Sequence, residues 1–288
     1  MSNSIVYVSF GISQWQGMVQ ENRYARKLEN DVAAKEKTFR VRKYALPDCA
    51  ELKDVQSYNG ALRQWHYSQT LPYDDKGGRI IPDDKVYDYM NEARARIAAG
   101  REKCKAFFRV YVDYRAKAKA ALGDAFNEKD YPPLAGLMEK FGYSIEFETI
   151  SDPKALRDRL VGVPQEDVDK LIAEAESRGQ QRIRGAIDSL YADLAKVLEN
   201  MGEKLSVPAE QKDGGIFRDT LVSNVVEMAQ RAASLNFVKE PQLDTAVSEV
   251  NKMLANTTAQ DLRTDAEKRA ATAKKAKELA AKMAAYVK

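Results

Sequence analysis

Apolar residues recur along this chain at alternating steps of four and three. Val86, Met90, Ala93, Ile97, Gly100, Cys104, Phe107, Tyr111, Tyr114, Ala118 and Ala121 form one such seam, the spacing that keeps one face of an α-helix turned towards a partner. It predicts a helix over about 83–122. Asp83 and Asp84 after Pro82 suit the free N–H groups and positive dipole of a helix start, and Gly123 suits a left-handed cap at its end. At about 1.5 Å per residue this helix is roughly 60 Å long, more than a compact domain requires. A second seam follows Pro164, through Val168, Ile172, Ala175, Ile183, Ala186, Leu190, Leu194, Val197, Met201 and Leu205, and predicts a helix over about 164–205. Gly179 and Gly185 weaken its middle by roughly 1 kcal/mol each relative to alanine, so a bend is expected there. Two long helices with matching seams predict an antiparallel hairpin or an elongated bundle.

Shorter patterns fill the remainder. The alternation Tyr143, Ile145, Phe147, Thr149 reads as a strand, and the run from Ile5 to Phe10 is its natural partner, because a lone strand leaves backbone groups unpaired. Short helices are predicted near Leu134 to Phe141, on Leu52, Val55, Asn59, Leu62 and Trp65, on Phe217, Leu221, Val225, Met228 and Leu235, and on Leu243, Val247, Val250 and Leu254. From Thr258 to Val287 the chain is nearly all Ala, Lys, Glu and Arg, strong helix formers with few large apolar side chains. Such a helix buries little by itself, so it is either solvated or ordered by a partner. The fold class is therefore mainly α, an elongated helical bundle or coiled-coil hairpin with a small two-stranded β element. Residues 1–255 are read as one elongated domain and 256–288 as a basic Ala/Lys-rich C-terminal helix.

Composition narrows the chemistry. With 288 residues, 44% hydrophobic and 31% charged, the chain is a soluble, globular type that needs no disulfide or structural metal to hold a core. One histidine and two cysteines exclude a multi-histidine metal site, and a zinc site would have to join Cys49, His66 and Cys104 without the close pairs that such sites use. The first residues, MSNSIVYVSF, lack a signal-peptide pattern, and no apolar run approaches the ~20 residues of a membrane span, so a reducing cytoplasm and no membrane association are expected. The formal charge is only +3, but it is unevenly spread. Glu21 to Lys43 holds eight basic against four acidic residues, Asp48 to Glu92 five against nine, and Ala266 to Lys288 seven against two.

No GxxxxGK[ST] loop, strand-linked GxGxxG or GxSxG elbow is present, which removes support for P-loop nucleotide hydrolysis, dinucleotide chemistry and ordinary serine hydrolysis. The chain is read as not an enzyme, with no cofactor and no metal. His66, between Trp65 and Tyr67, has the residue type of a general base, but its place beside a buried helix face favours a structural role. The loop Tyr73-Asp74-Asp75-Lys76-Gly77-Gly78-Arg79 carries carboxylates and glycines that suit Mg²⁺ or phosphate, yet the same residues build tight turns, and the turn is favoured. Phe107, Phe108, Tyr111 and Tyr114 with Arg109 and Arg115 have the composition of a base-stacking surface, but Phe107, Tyr111 and Tyr114 fall on the seam and read as core. Arg40, Arg42 and Lys43 beside Tyr44, and Lys274, Lys275 and Lys277, are the candidate nucleic-acid contacts, against the plainer reading of solvated faces.

The order Ile12-x-x-Trp15-x-Gly17, Thr70-Leu71-Pro72-Tyr73, Gly78-Arg79-Ile80-Ile81-Pro82, Leu122-Gly123-x-x-Phe126 and Tyr131-Pro132, with Phe217-Arg218-x-x-Leu221-x-x-Asn224 and Leu235-Asn236, resembles a family of tailed-bacteriophage and proteobacterial proteins defined as a domain of unknown function. The resemblance spans about residues 5–255 and leaves the basic C-terminal helix outside. Genes of that family often lie near those for MoxR-type AAA+ ATPases and von Willebrand factor A-like proteins. It implies a phage-related protein of the infected host's cytoplasm that works with an ATPase it does not itself contain, and it supplies no catalytic residues. In that setting Tyr73, Asp74 and Arg79 are candidate partner contacts, and Trp15 with Gly17 marks a packing corner. Two functions compete. One is a non-enzymatic, self-associating adaptor or scaffold. The alternative is a nucleic-acid-binding protein of phage replication or recombination whose two basic segments form a groove. A metal-dependent enzyme using Asp74 and Asp75 is a third, lesser reading.

Overall fold

In a computed structural model, which describes residues 5–207 and 218–287, the two long apolar seams are buried in two different cores. The chain divides into two compact units, one of Met1–Ser9, Tyr67–Tyr87 and Glu146–Lys288 and the other of Phe10–His66 and Asp88–Ile145. The architecture is mainly helical with a small β component, as the periodicities predict.

The axis of the first unit is the helix α6 (Gln165–Ser206), with Pro164 before it and Glu166 and Asp167 in its first turn. It runs without interruption through Gly179 and Gly185, where an added Cβ would meet nothing. Ile187, Leu190, Tyr191, Leu194, Leu198, Met201 and Leu205 are buried along it. The expected partner of this seam was the other long helix. Its companion is instead α10 (Ala266–Ala284), the Ala/Lys segment. The two run antiparallel: the Tyr191 ring meets the Tyr286 ring at 5.3 Å and Arg184 donates to the Tyr286 carbonyl, while Gly202 lies against Ala273 and Lys277.

Small residues make this pairing work. Ala273, Ala276 and Ala280 are buried on α10 with Leu279 and Met283, so the backbones approach closely and gain dispersion contacts over the whole length. A Cβ on Gly202 would stand 2.5 Å from Lys277 Cγ and 3.2 Å from the Ala273 carbonyl oxygen. Three further helices, α7 (Thr220–Leu235), α8 (Pro241–Leu254) and α9 (Ala259–Thr264), complete the core through Leu221, Val225, Leu243, Val250 and Leu262. Phe217, assigned from sequence to the start of α7 and to the family pattern, lies outside the described residues. The Asn236 amide stitches the α7–α8 turn by bonding Glu240 N–H, Glu240 C=O and Asp244. Thr258 and Asp261 form a reciprocal capping box at α9.

The second unit is built on α2 (Ala50–Gln69) and α3 (Val86–Leu122), most of whose residues belong to it. Ala93, Ile97, Gly100, Cys104, Phe107, Tyr111 and Ala118 are buried at the predicted seam positions. Gly123 has φ +50, the left-handed end expected of it. The seam is covered by α2 residues such as Leu52 and Val55, by Ala45, Tyr131 and Leu137, and by the Trp15 ring, which stacks on Phe107 at 6.5 Å and meets Tyr111 edge-on at 6.0 Å. Phe107 and Tyr111 thus form core, as their spacing predicts, while Tyr114, also on the seam, and Phe108 are half-buried against it.

The β component is larger than the predicted strand pair. β1 (Ile5–Ser13) and β6 (Gly142–Thr149) are neighbours, but β4 (Leu71–Pro72) and β5 (Arg79–Pro82) extend them into a sheet of order β4-β5-β1-β6. Leu71 pairs with Ile80, and β5 pairs antiparallel with β1 from Ile5–Pro82 to Val8–Arg79. Strands of two and four residues are too short to show a period of two, and their flanking prolines look like loop in sequence. A separate ribbon pairs β2 (Met18–Gln20) with β3 (Arg42–Tyr44), Met18 opposite Tyr44, with the helix α1 (Asn22–Asp31) between them in sequence. No helix among the described residues is long and apolar enough to cross a membrane.

The α6–α10 contact distinguishes two glycines of one helix. Gly202→Val is expected to destabilise the chain by about 1–3 kcal/mol through overpacking, whereas Gly185→Ala gains up to about 1 kcal/mol of helix propensity. Urea denaturation followed by circular dichroism checks both; equal effects at the two positions would contradict the close packing.

Candidate functional site

The loop that carries Tyr73, Asp74 and Arg79 is a tight hairpin. Gly77 takes φ +88, the Tyr73 N–H bonds the Gly78 carbonyl at 3.0 Å, and Asp74 Oδ1 accepts the N–H groups of Lys76 and Gly78 at 2.9 Å each. Asp74 Oδ2 accepts the Tyr7 hydroxyl at 3.2 Å. Burial would raise the Asp74 carboxyl, but these bonds, Gly78 first, and the Arg182 charge outweigh it and hold it below the usual carboxylate range. The Arg182 guanidinium sits 5.3 Å from the centre of the Tyr73 ring. Asp74 therefore organises the turn, while Asp75 is exposed. Among the described residues no three His, Cys, Asp or Glu side chains converge on a point where a metal ion would sit.

Arg79 is engaged inside its own unit. Its Nε donates to Thr70 Oγ1 at 2.6 Å, and its terminal nitrogen donates to the Thr70 and Tyr67 carbonyls at 2.7 and 3.3 Å. Arg231 from α7 reaches the same chain turn, donating to Ser68 C=O at 3.0 Å and to Tyr67 and Thr70 C=O at 3.2 Å, with a 2.8 Å ion pair to Asp193. Two guanidinium groups thus cap the C-terminal end of α2, where carbonyls lack helical partners and the dipole is negative. A cleft of about 570 Å³ beside them is lined by Ser68, Gln69, Asn224, Glu227, Arg231 and Ser234.

The basic segment of the second unit divides into inward and outward charges. Lys43 is nearly buried and bonds Glu21 and Asp130 at 2.9 Å each, and also the Ala125 carbonyl. Burial opposes its charge, but Asp130 and Glu21 outweigh this and raise its pKa above an ordinary lysine. The Lys43 bond in turn holds the Glu21 carboxyl below its ordinary value. Lys43 is thereby a structural cation. Arg40 and Arg42 are exposed, as are Lys274, Lys275 and Lys277 on α10 in the other unit.

Sequence reasoning missed what accompanies these cations. Tyr24, Leu28 and Val32 follow one another at helical spacing along and just beyond α1, and all three are exposed; Met18 and Tyr44 are exposed together on the ribbon, Tyr44 at 62%. The four-residue spacing of Tyr24, Leu28 and Val32 was the available signal, hidden by the surrounding charge. The inward face of α1 carries the buried Ala25 and Glu29. Beside it lies a cavity of about 480 Å³ that includes Arg26, Glu29, Lys37 and Arg40 in its lining.

The histidine and cysteines lie in the second unit's interior. His66 is 3% exposed, bonds the Tyr89 hydroxyl through Nδ1 at 2.7 Å and stacks on Phe10 at 4.9 Å. Burial raises both thiols, Cys49 and Cys104, away from the reactive thiolate form. Cys104 sits 3.6 Å from the Tyr143 hydroxyl, which donates to the Asn59 amide oxygen, and Asn59 donates to Gln14. No family model, no curated protein and no solved structure matches the chain.

Two consequences are measurable. Arg231→Met is expected to cost about 2 kcal/mol, the scale of hydrogen bonds to a charged group. Arg231→Lys should recover less than half, because an ammonium cannot span three carbonyls; full recovery in denaturant unfolding would contradict the cap. Lys43→Met leaves Glu21 and Asp130 facing each other in a nearly buried site and should cost about 3–5 kcal/mol. Because the folded-state value of Glu21 is depressed, its contribution is fully present above the ordinary 4.5 and is lost as pH falls through the depressed value. Lys43→Met should flatten that acid limb in urea midpoints taken between pH 2 and 6.

Proposed function

We propose that the protein acts by binding rather than by catalysis, as an adaptor or scaffold, and that the β2–α1–β3 module is its contact face. The observation that carries this reading is that Tyr24, Leu28 and Val32, at helical spacing, are all exposed, as are Met18 and Tyr44 paired on the ribbon, in a segment that also exposes Arg23, Arg26, Lys27 and Arg42. Large apolar side chains grouped on a surface and rimmed by charge fit a partner with an apolar centre and an acidic border. The acidic stretch from Asp48 to Glu92 of a second copy has the complementary charge, which supports self-association. The MoxR-type AAA+ ATPase of the phage setting is the other proposed partner. Tyr73, Asp74 and Arg79 are set aside as contacts in this reading, since the Asp74 and Arg79 bonds and the Arg182–Tyr73 contact hold their loop together.

A second reading, nucleic-acid binding, is favoured by one specific observation: Arg40 and Arg42 make no ion pair among the described residues and stand in one chain segment with the exposed Tyr44. Arginines for phosphates beside an aromatic ring for a base is the composition of a single-strand surface. Lys274, Lys275 and Lys277 give α10 a separate basic face, while Lys43 contributes to folding only.

Light scattering over a range of concentrations, with titration of the purified ATPase, tests the first reading. Association is expected, and Leu28→Glu with Val32→Glu should weaken it at least about tenfold, the loss typical of a central contact. A strict monomer that binds no ATPase removes the adaptor. Fluorescence anisotropy with single- and double-stranded DNA at two salt concentrations tests the second, since phosphate binding must weaken steeply with salt. No binding at low salt removes it.

A further inference from the structure

The inward face of α1 presents an unusual buried group. Glu29 is 4% exposed, and among the described residues its side chain has one hydrogen bond, Oε1 accepting the Phe39 N–H at 3.1 Å. Each carboxylate oxygen accepts two bonds, so Glu29 keeps free acceptor capacity beside the Phe39 bond. Glu29 lines the 480 Å³ cavity together with Asn22, Arg26, Lys37, Phe39 and Arg40. Arg26, Lys37 and Arg40 make no ion pair among the described residues, with Glu29 or with any other carboxylate. Lys37 is held at φ +67, a conformation a lysine rarely adopts. Gln20, Ala25 and Glu36 complete the wall.

This arrangement asks for a ligand with two unlike ends. The carboxylate is acceptor-only and requires donors. The wall carries three exposed cations, Arg26, Lys37 and Arg40, against two carboxylates, Glu29 and Glu36, a net positive rim that disfavours a cationic donor and attracts anionic oxygen. A nucleotide joins a neutral donor edge to phosphate, and 480 Å³ falls within the range of small-molecule sites. Among the bases only guanine offers two adjacent donors, N1–H and the 2-amino group, which match the two oxygens of one carboxylate. Adenine and cytosine set an acceptor beside their amino group, and uracil and thymine flank a single N–H with carbonyls, so each would turn a lone pair on Glu29. The Phe39 ring, also in the wall, supplies an aromatic face for the base.

We propose that this cavity is a guanine-nucleotide site, in which the Glu29 carboxylate accepts from the guanine edge and Arg26, Lys37 and Arg40 hold the phosphate. The site takes a free nucleotide or a guanine within a single strand by the same chemistry. It goes beyond the docking face, because a mononucleotide tests it whether or not a protein or a long nucleic acid is captured.

The experiment is calorimetric titration of the full chain with GMP, IMP and AMP, then with single-stranded pentanucleotides TTGTT and TTATT. GMP is expected to bind about tenfold or more tightly than AMP, the discrimination of one good bidentate pair, and IMP, which lacks the 2-amino group, to fall between them. Glu29→Gln, isosteric and able to keep the Phe39 bond, should bring GMP and AMP to equal affinity. Arg40→Met, at an exposed position, should weaken both alike and leave their ratio unchanged. Tighter binding of TTGTT than of GMP assigns the site to a strand, and the reverse assigns it to the free nucleotide; both carry the guanine chemistry. Absence of GMP binding, equal affinity for GMP and AMP, or a preference that survives Glu29→Gln overturns the proposal, even where a strand still binds elsewhere on the surface.

Discussion

The first unit depends on how closely α6 and α10 approach. An alanine removes little apolar surface from water, and at roughly 25 cal/mol per Å² each contributes modestly. The pair is held by a continuous strip of such contacts, from the Tyr191–Tyr286 end to Gly202 against Ala273 and Lys277. Any side chain that lifts the backbones apart at one point weakens neighbouring contacts along the strip, because dispersion attraction falls steeply with distance. This makes the pair cooperative and leaves Lys274 and Lys275 exposed on α10, while the stem of Lys277 lies against Gly202. The remaining helices then pack on other parts of α6, α7 most extensively, and the core closes around one axis.

Cations in this chain fall into two physical classes. Arg79 and Arg231 bond the carbonyl of the buried Thr70 just after α2, and Lys43 joins Glu21 to Asp130; in each case removing the cation takes a partner from a group that water reaches poorly. Arg26, Lys37, Arg40 and Arg42 make no ion pair among the described residues. Charge counts along the sequence merge the two classes, since Lys43 and Arg42 are adjacent. Pleat direction separates them: with Met18 opposite Tyr44 and Val19 opposite Lys43, alternate residues of the ribbon face opposite ways.

The long helices were legible because a seam repeated over ten or more positions cannot arise from another period, and Pro164 marks where α6 starts and Gly123 where α3 stops. The partner of each seam was not. Heptads state that a face is buried, and matched length suggested that α3 and α6 cover one another; the small residues of α10, which offer close approach rather than bulk, carry no large-apolar signal. The β4–β5 hairpin was hidden by its brevity and by Pro72 and Pro82. At the candidate site, Arg40 and Arg42 were readable as exposed basic residues. The Arg231 cap was not, because Arg231 lies more than 150 positions from the carbonyls it serves and no local pattern encodes that contact. The cavity beside α1 depends on Phe39 and Arg40 returning over the helix, which is likewise a tertiary fact.

Fold maintenance alone leaves α1 poorly explained. A ten-residue helix is marginal in isolation and relies on an amphipathic face packed against the body. Here the apolar residues Tyr24 and Leu28 are turned outward, while a carboxylate occupies an inward position beside Ala25. Glu29 ties the Phe39 N–H to the helix, but that single bond leaves most of its acceptor capacity unused. Lys37, in its left-handed conformation at the cavity wall, runs against local preference in the same place. Departures of this kind concentrate where a surface or a pocket must meet something else. The α1 region carries both, an exposed apolar stripe at Tyr24 and Leu28 and a carboxylate beside a cavity whose wall includes Arg26, Lys37 and Arg40.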